Sequence, residues 1–153
     1  MGKRRQAPFP VQPEGFDMQL RRIIYVSRAL QGLQEVELRQ IFGLAEVLHR
    51  RGDLSGLLAY TGRHFIQLIE GPAPQVDQLL SMIAADDRHR GMRTLCDETP
   101  QSRDFQGWHW MRVDSLDLID EVDEALRGED IGAEQAKRLI QRLVAASPPE
   151  AQP

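Results

Sequence analysis

The side chains able to do acid–base, nucleophilic or metal chemistry are few in this sequence and widely spaced. Four histidines, His49, His64, His89 and His109, form no His-x-x-x-His pair, and no P-loop or Ser/His/Asp pattern occurs. The single cysteine, Cys96, excludes an internal disulfide and a cysteine-clustered metal site, and it is interpreted as a packed hydrophobe. We therefore expect a protein that is not an enzyme.

The elements that position these residues follow from the apolar patterns. Runs rich in β-branched and aromatic residues predict strands, and apolar residues at helical spacing predict helices. A short Gly-containing link, Thr61-Gly62-Arg63, indicates a hairpin. The predicted strands are 22–27, 54–60, 64–69, 92–96 and 108–113, and the predicted helices are 35–49, 76–86, 116–126 and 133–146.

The order of these elements indicates the fold class. Strand, helix, strand, strand, helix, strand is the split βαβ, ferredoxin-like order, here with one strand added. We predict an α+β domain with a five-stranded mixed sheet, two helices on one face and further C-terminal helices, over residues 18–146. Residues 1–17 contain three prolines and are predicted to be a flexible extension, and residues 147–153 a disordered tail.

Five short blocks carry a specific resemblance. They are Ile24-Tyr25-Val26-Ser27-Arg28-Ala29, Leu54-Ser55-Gly56-Leu57-Leu58-Ala59-Tyr60, Phe65-Ile66-Gln67-Leu68-Ile69-Glu70-Gly71-Pro72, Asp86-Asp87-Arg88-His89 and Phe105-Gln106-Gly107-Trp108-His109. In order and in spacing they resemble the BLUF family, the sensors of blue light using FAD, and the resemblance extends over most of positions 20–113.

The resemblance implies a photochemical relay and a flavin site. Tyr25 would donate an electron and then a proton, and the amide of Gln67 would be left in a new hydrogen-bonded arrangement; alone, Tyr25 would be interpreted as a half-buried strand aromatic. These types suit the roles, because a phenol is an oxidisable donor and an amide has a donor end and an acceptor end. The implied cofactor is FAD, with FMN or riboflavin possible, and the implied cofactor-binding residues are Ile41, Leu48, His49, Phe65, Ile83, Asp86, Arg88 and His89.

The sequence departs from the family pattern at four positions. Leu48 and His49 replace a polar region at the end of the first helix where the family carries an Asn that pairs with the flavin ring. Met82 stands where many members have a basic residue, and Trp110 where many have Met. Trp108 and Trp110 are expected to lie on one face of their strand and to form, with the closing helices, the signal-output surface.

The composition limits the classes of partner that the protein can bind. With 23 acidic against 19 basic residues, the net charge of −4 argues against binding through phosphate neutralisation. There is no secretory signal or apolar run long enough for a bilayer, so we expect a cytoplasmic protein that contacts neither nucleic acid nor membrane. The leading hypothesis is a blue-light photoreceptor that signals to a protein partner in trans or through a homo-oligomer. The alternative is a degenerate interaction module of the same fold with weak or no flavin binding.

Overall fold

The computed structural model describes residues 19–127 and 131–146, apart from the side chain of Leu48 and the burial of Gly52. The described elements, in chain order, are β1 (Leu20–Ala29), α1 (Glu35–Gly52), β2 (Ser55–Tyr60), β3 (His64–Pro72), α2 (Ala73–Ala85), β4 (His89–Glu98), β5 (Trp108–Arg112), α3 (Leu116–Arg127) and α4 (Ala133–Ala146). The predicted extension and tail lie outside the described residues.

The five strands form one mixed sheet in the order β4-β1-β3-β2-β5. All neighbours pair antiparallel except β2 and β5, which pair parallel. The predicted α+β class, element order and five-stranded mixed sheet are confirmed. Three strands are longer than predicted: β1 extends at both ends, β3 continues through Gly71-Pro72, and β4 runs from His89 to Glu98.

Each face of the sheet packs against a different pair of helices. On one face, α1 contributes Leu38 and Phe42, and α2 contributes Val76 and Leu79. On the other, α3 and α4 close the largest core cluster, which includes Ile66 and Leu68 of β3. Since side chains alternate along a strand, even-numbered β3 residues face α3 and α4, and odd-numbered ones face α1 and α2.

Helix α1 is stabilised at both ends by local signals. The Glu37 carboxylate accepts a 2.9 Å hydrogen bond from the Gln34 backbone N–H, and Glu35 and Glu37 place acidic groups in the first turn. At the other end, Asp53 takes a left-handed conformation (φ 57°) and its N–H bonds to the His49 carbonyl. The helix therefore runs three residues beyond its predicted end at position 49 and is capped by Asp53.

A glycine in β2 allows close packing at the centre of the sheet. Gly56 has φ +148°, and an added Cβ would lie 1.9 Å from the Leu68 carbonyl oxygen. Gly56 also pairs with Trp108 across the parallel ladder. A side chain at position 56 would therefore clash with the backbone of the neighbouring strand β3.

Candidate functional site

The cleft between α1 and α2 contains a buried tyrosine–glutamine pair. Tyr25 on β1 and Gln67 on β3 are directly opposite in the antiparallel register, 3% and 2% exposed respectively. The Tyr25 hydroxyl donates a hydrogen bond to Gln67 Oε1. Burial, with the Asp86 carboxylate nearby, raises the pKa of the Tyr25 phenol. The phenol therefore stays protonated and remains a donor.

The pair leaves the nitrogen of the Gln67 amide unused. Because the amide oxygen faces the phenol, the amide NH₂ points elsewhere, and it has no hydrogen-bond partner among the described residues. Gln67 lines the cleft. A bound ligand can therefore accept a hydrogen bond from the Gln67 amide NH₂.

The cleft around the pair is mostly apolar. A few polar groups converge on these apolar walls, which is the composition usual for small-molecule sites. Its walls come from both helices, because α1 covers the β2/β5 half of the sheet and α2 covers the β1 half. The lining residues are Tyr25, Ile41, Leu44, Ala45, Leu58, Phe65, Gln67, Leu79, Met82, Ile83, Asp86, Arg88 and His89.

An ion pair at the end of α2 forms the polar rim of the cleft. Arg88 donates to Asp86 Oδ1 and Oδ2 at 2.9 and 2.6 Å. The Arg88 guanidinium lowers the pKa of the Asp86 carboxyl, and the carboxylate in turn raises the pKa of Arg88. Both groups are charged at neutral pH and largely neutralise each other.

His89 joins three elements behind this rim. Its Nε2 lies 2.6 Å from the Ile83 carbonyl oxygen and its Nδ1 lies 2.7 Å from Ser27 Oγ. Since a carbonyl only accepts, Nε2 carries the proton and Nδ1 accepts from the Ser27 hydroxyl. Both nitrogens are occupied by protein groups, so His89 can offer a ligand only its ring.

Comparison with known proteins identifies the architecture. The family model described as sensors of blue-light using FAD (BLUF) matches residues 20–111, more than half of the chain. The chain belongs to the BLUF family. The predicted family membership is confirmed, and BLUF domains are flavin-binding blue-light sensors.

Curated relatives share the domain but are longer proteins. The blue light- and temperature-regulated antirepressor BluF of Escherichia coli (strain K12) is 32% identical over 82 residues, which are 53% of this chain and 20% of the relative. Photoactivated adenylate cyclase subunit beta of Euglena gracilis is 30% identical over 102 residues, 65% of this chain and 12% of the relative. The chain thus spans a fifth or less of the length of these two relatives.

Solved structures agree with the fold. The dark-state structure of BlrB, a BLUF protein, is 29% identical, with a TM-score of 0.68, and the match covers 86% of this chain and 98% of that one. The photo-activated state of BlsA has a TM-score of 0.70 over 84% of this chain and 96% of that one; at 19% identity it supports the fold alone.

Six of the eight predicted cofactor-binding residues lie in this cleft, namely Ile41, Phe65, Ile83, Asp86, Arg88 and His89, together with Tyr25 and Gln67. Five further lining residues, Leu44, Ala45, Leu58, Leu79 and Met82, were not predicted as binding residues. Helical spacing from Ile41 and Ile83 could have found three of them, Leu44, Ala45 and Leu79, because residues three or four apart share the same side of a helix.

The end of α1 does not follow the prediction. His49 is not among the lining residues; its ring stacks on Trp108 with centroids 5.9 Å apart and planes at 26°. Burial lowers the pKa of His49, so the imidazole is neutral at pH 7. The last turn of α1 lies over the start of β5, so the His49 ring contacts Trp108 and does not reach the cleft. The side chain of the other predicted residue, Leu48, lies outside the described part of the structure.

The two tryptophans share the α1 face of β5, as their spacing predicts. Trp108 is 4% exposed and packs in the cluster with Phe42, while Trp110 stacks on Phe42 at a centroid distance of 4.5 Å. Trp110 lies in register with Leu58, which in turn is opposite Gln67. Trp110 is therefore two strands from the glutamine, roughly 10 Å at ordinary strand spacing.

Two other kinds of site find no support in the described residues. No group of three or more His, Cys, Asp or Glu side chains in residues 19–127 and 131–146 is placed to hold a metal ion. Over the same ranges, no helix has both the length and the apolar character needed to span a bilayer.

Proposed function

We propose that this chain binds FAD in the α1/α2 cleft and senses blue light through the Tyr25–Gln67 pair. The observation that carries the proposal is the unpartnered Gln67 amide NH₂ in an apolar cleft, beside a phenol held as a donor. A bound flavin supplies absorption of blue light and an electron-accepting ring.

The described residues fit the ring of such a cofactor. Ile41 and Leu44 on α1 and Ile83 on α2 offer apolar walls to a flat aromatic group, and Gln67 offers a donor to its polar edge. The mouth offers less to phosphates, because Arg88 is paired with Asp86 and Met82 adds no charge. We therefore expect the ring to provide most of the affinity, with FMN and riboflavin binding nearly as well as FAD.

In the proposed relay, Tyr25 loses an electron and its hydroxyl proton and then recovers both. While the phenol lacks its proton, Gln67 Oε1 loses its donor, and nothing else in the described chain holds the amide in place. The amide can then rotate or tautomerise and settle with a different set of bonds. No large backbone motion is needed for this change.

We propose that the domain is a sensor without catalytic activity of its own and that it acts in the cytoplasm. Its output would pass to a protein partner or to a second copy of the chain, through β5 with Trp108 and Trp110 and through α3 and α4. The relatives named as an antirepressor and as a cyclase support a protein target for the signal. We expect neither nucleic acid nor membrane as a partner.

The alternative of a flavin-free interaction module also has an observation in its favour. His49 lies against Trp108 and is not among the residues that line the cleft. The polar contact that the family makes from the end of the first helix is thus not offered by His49. If flavin does not bind, this function takes the place of the sensor.

A cleft-filling substitution tests the proposed site. Ala45 lines the cleft on α1, and Ala45→Phe should weaken binding of FAD, FMN and riboflavin at least about tenfold by occupying ring space. Ala84→Phe, on the exposed side of α2, is the matched control and should bind like the parent. Equal affinity in all three proteins would place the flavin elsewhere, and no binding to the parent would support the flavin-free module.

A further inference from the structure

A buried ionic row lies on the opposite face of the sheet from Gln67, three residues along the same strand. Arg22 on β1 is directly opposite Glu70 on β3 and also opposite Glu98 on β4. Arg22 Nε donates to Glu70 Oε2 at 2.7 Å, and its Nη1 donates to Glu98 Oε2. Glu70 is 0% exposed and Arg22 is 4% exposed.

Glu70 also holds the segment that leads into β5. Its carboxylate accepts hydrogen bonds from the backbone N–H of Asp104 at 3.0 Å and of Phe105 at 2.8 Å. Arg103 fastens the same segment to β2, because it donates to Ser55 Oγ at 2.9 Å. Trp108 follows within three residues of Phe105.

The same row reaches α4 through its other carboxylate. Lys137 on α4 donates to Glu98 Oε2 at 3.1 Å, and Glu98 shares Arg22 with Glu70. One chain of contacts therefore connects the strand of Gln67 to the start of β5 and to the last described helix. A buried ionic pair repays its desolvation only in good geometry, so even a small displacement of β3 at Gln67 would alter the contacts of Glu70 with Arg22 and with the backbone of residues 104 and 105.

We propose that Glu70 is a positioning residue that transmits a change at Gln67 to residues 103–110 and, through Arg22, Glu98 and Lys137, to α4. This inference rests on the proposed function. It assigns Glu70 a role in the output and none in the light reaction itself, because its side chain faces away from the cleft.

Hydrogen exchange of the flavin-loaded protein in darkness and under blue light tests this role, with the flavin absorption shift measured on the same samples. The parent should show the shift and a light-dependent change in exchange in 103–110 and in 133–146. Glu70→Gln should keep the shift and lose the exchange change in both segments. Glu46→Gln, which removes a surface carboxylate on α1, is the control and should keep all three responses.

A second variant separates the two branches and does not depend on the folding of Glu70→Gln. Lys137→Met leaves the contacts of Glu70 intact, so it should keep the change in 103–110 and lose the change in 133–146. If the parent shows the shift but neither segment responds, or if Lys137→Met and Glu70→Gln respond like the parent, the inference is overturned and the sensor function stands. Absence of the shift in the flavin-loaded parent would contradict the sensor function itself.

Discussion

Gln67 and Glu70 lie three residues apart on β3 and use their hydrogen-bonding groups in opposite ways. Gln67 faces the α1/α2 cleft, bonds to one side chain and leaves its amide NH₂ without a partner in the described chain. Glu70 faces α4, and its carboxylate accepts from Arg22 and from two backbone N–H groups. An unfilled donor suits a group that must change partners, and a filled carboxylate suits a group that must hold its position.

The largest expected effect on stability comes from removing the Glu70 carboxylate. Glu70→Ala removes the fully buried partner of the Arg22 guanidinium, which keeps only the more exposed Glu98 and Asp104, and it takes the acceptor from two backbone N–H groups, so it should cost roughly 3–5 kcal/mol of the free energy of unfolding. Urea denaturation measures it. Glu98→Ala, whose carboxylate is partly exposed, is the comparison and should cost clearly less. Equal losses of the free energy of unfolding would mean that Glu70 stabilises the fold no more than Glu98 does.

Removing both members of the cleft pair should have a smaller effect on stability. Tyr25→Phe/Gln67→Leu keeps the bulk of both side chains and leaves no buried hydroxyl or amide unpaired, so the free energy of unfolding should stay within about 1 kcal/mol of the parent. The same urea experiment measures it. A loss as large as that of Glu70→Ala would contradict the distinction between a switching pair and a holding site.

Acidification should weaken the α3/α4 side of the sheet through the buried His64 and the half-buried His109. Burial lowers the pKa of His109, and burial, opposed by Asp123, lowers the pKa of His64, relative to the ordinary value of 6.5. The folded state therefore binds fewer protons than the unfolded state below about that value. This contribution is complete above pH 6.5 and is lost as the pH falls toward 5.

Urea denaturation at pH 7.5 and pH 5.2 measures the slope of the free energy of unfolding with pH. The range stays above the ordinary pKa values of carboxyl groups, so that Asp and Glu add little to the slope. His109→Gln should flatten the slope, since its imidazole has burial as the cause of its shift. A slope of the opposite sign, or one unchanged in His109→Gln, would refute the assignment.

The fold was readily predicted from the sequence, and the reasons are physical. Strand β1 is a run rich in β-branched and aromatic residues, helix α4 has apolar residues at 3.6-residue spacing, and Thr61-Gly62-Arg63 indicates the hairpin. Most of the cleft followed from the family blocks, because these blocks contain Tyr25, Gln67 and the residues after α2, and the pairing of β1 with β3 places Tyr25 opposite Gln67.

What the sequence did not reveal depends on the direction of helix α1 relative to β5. The family resemblance places His49 at a cofactor position, but the last turn of α1 lies over Trp108, and no pattern along the chain indicates that contact. The row of Arg22, Glu70, Glu98 and Lys137 was also missed. Its members are spread over 116 positions, and only the strand order brings them together.

The smallest expected effect is at His49. Since its ring stacks on Trp108 and does not line the cleft, His49→Asn should change the flavin dissociation constant by less than about twofold, or about 0.4 kcal/mol. Fluorescence titration at pH 7.5, where the imidazole is neutral, measures it. Tenfold tighter binding would mean that position 49 reaches the ring after all, and weaker binding that the imidazole already contacts it.

The most direct test of the central claim is the light-minus-dark absorption spectrum of the flavin-loaded protein. The account predicts a reversible red shift in the parent that Gln67→Leu abolishes, because leucine keeps the bulk and removes both ends of the amide. Gln75→Leu, which removes a buried amide on α2 that does not line the cleft, should keep the full shift. A full shift in Gln67→Leu would contradict the claim that this amide is the switch.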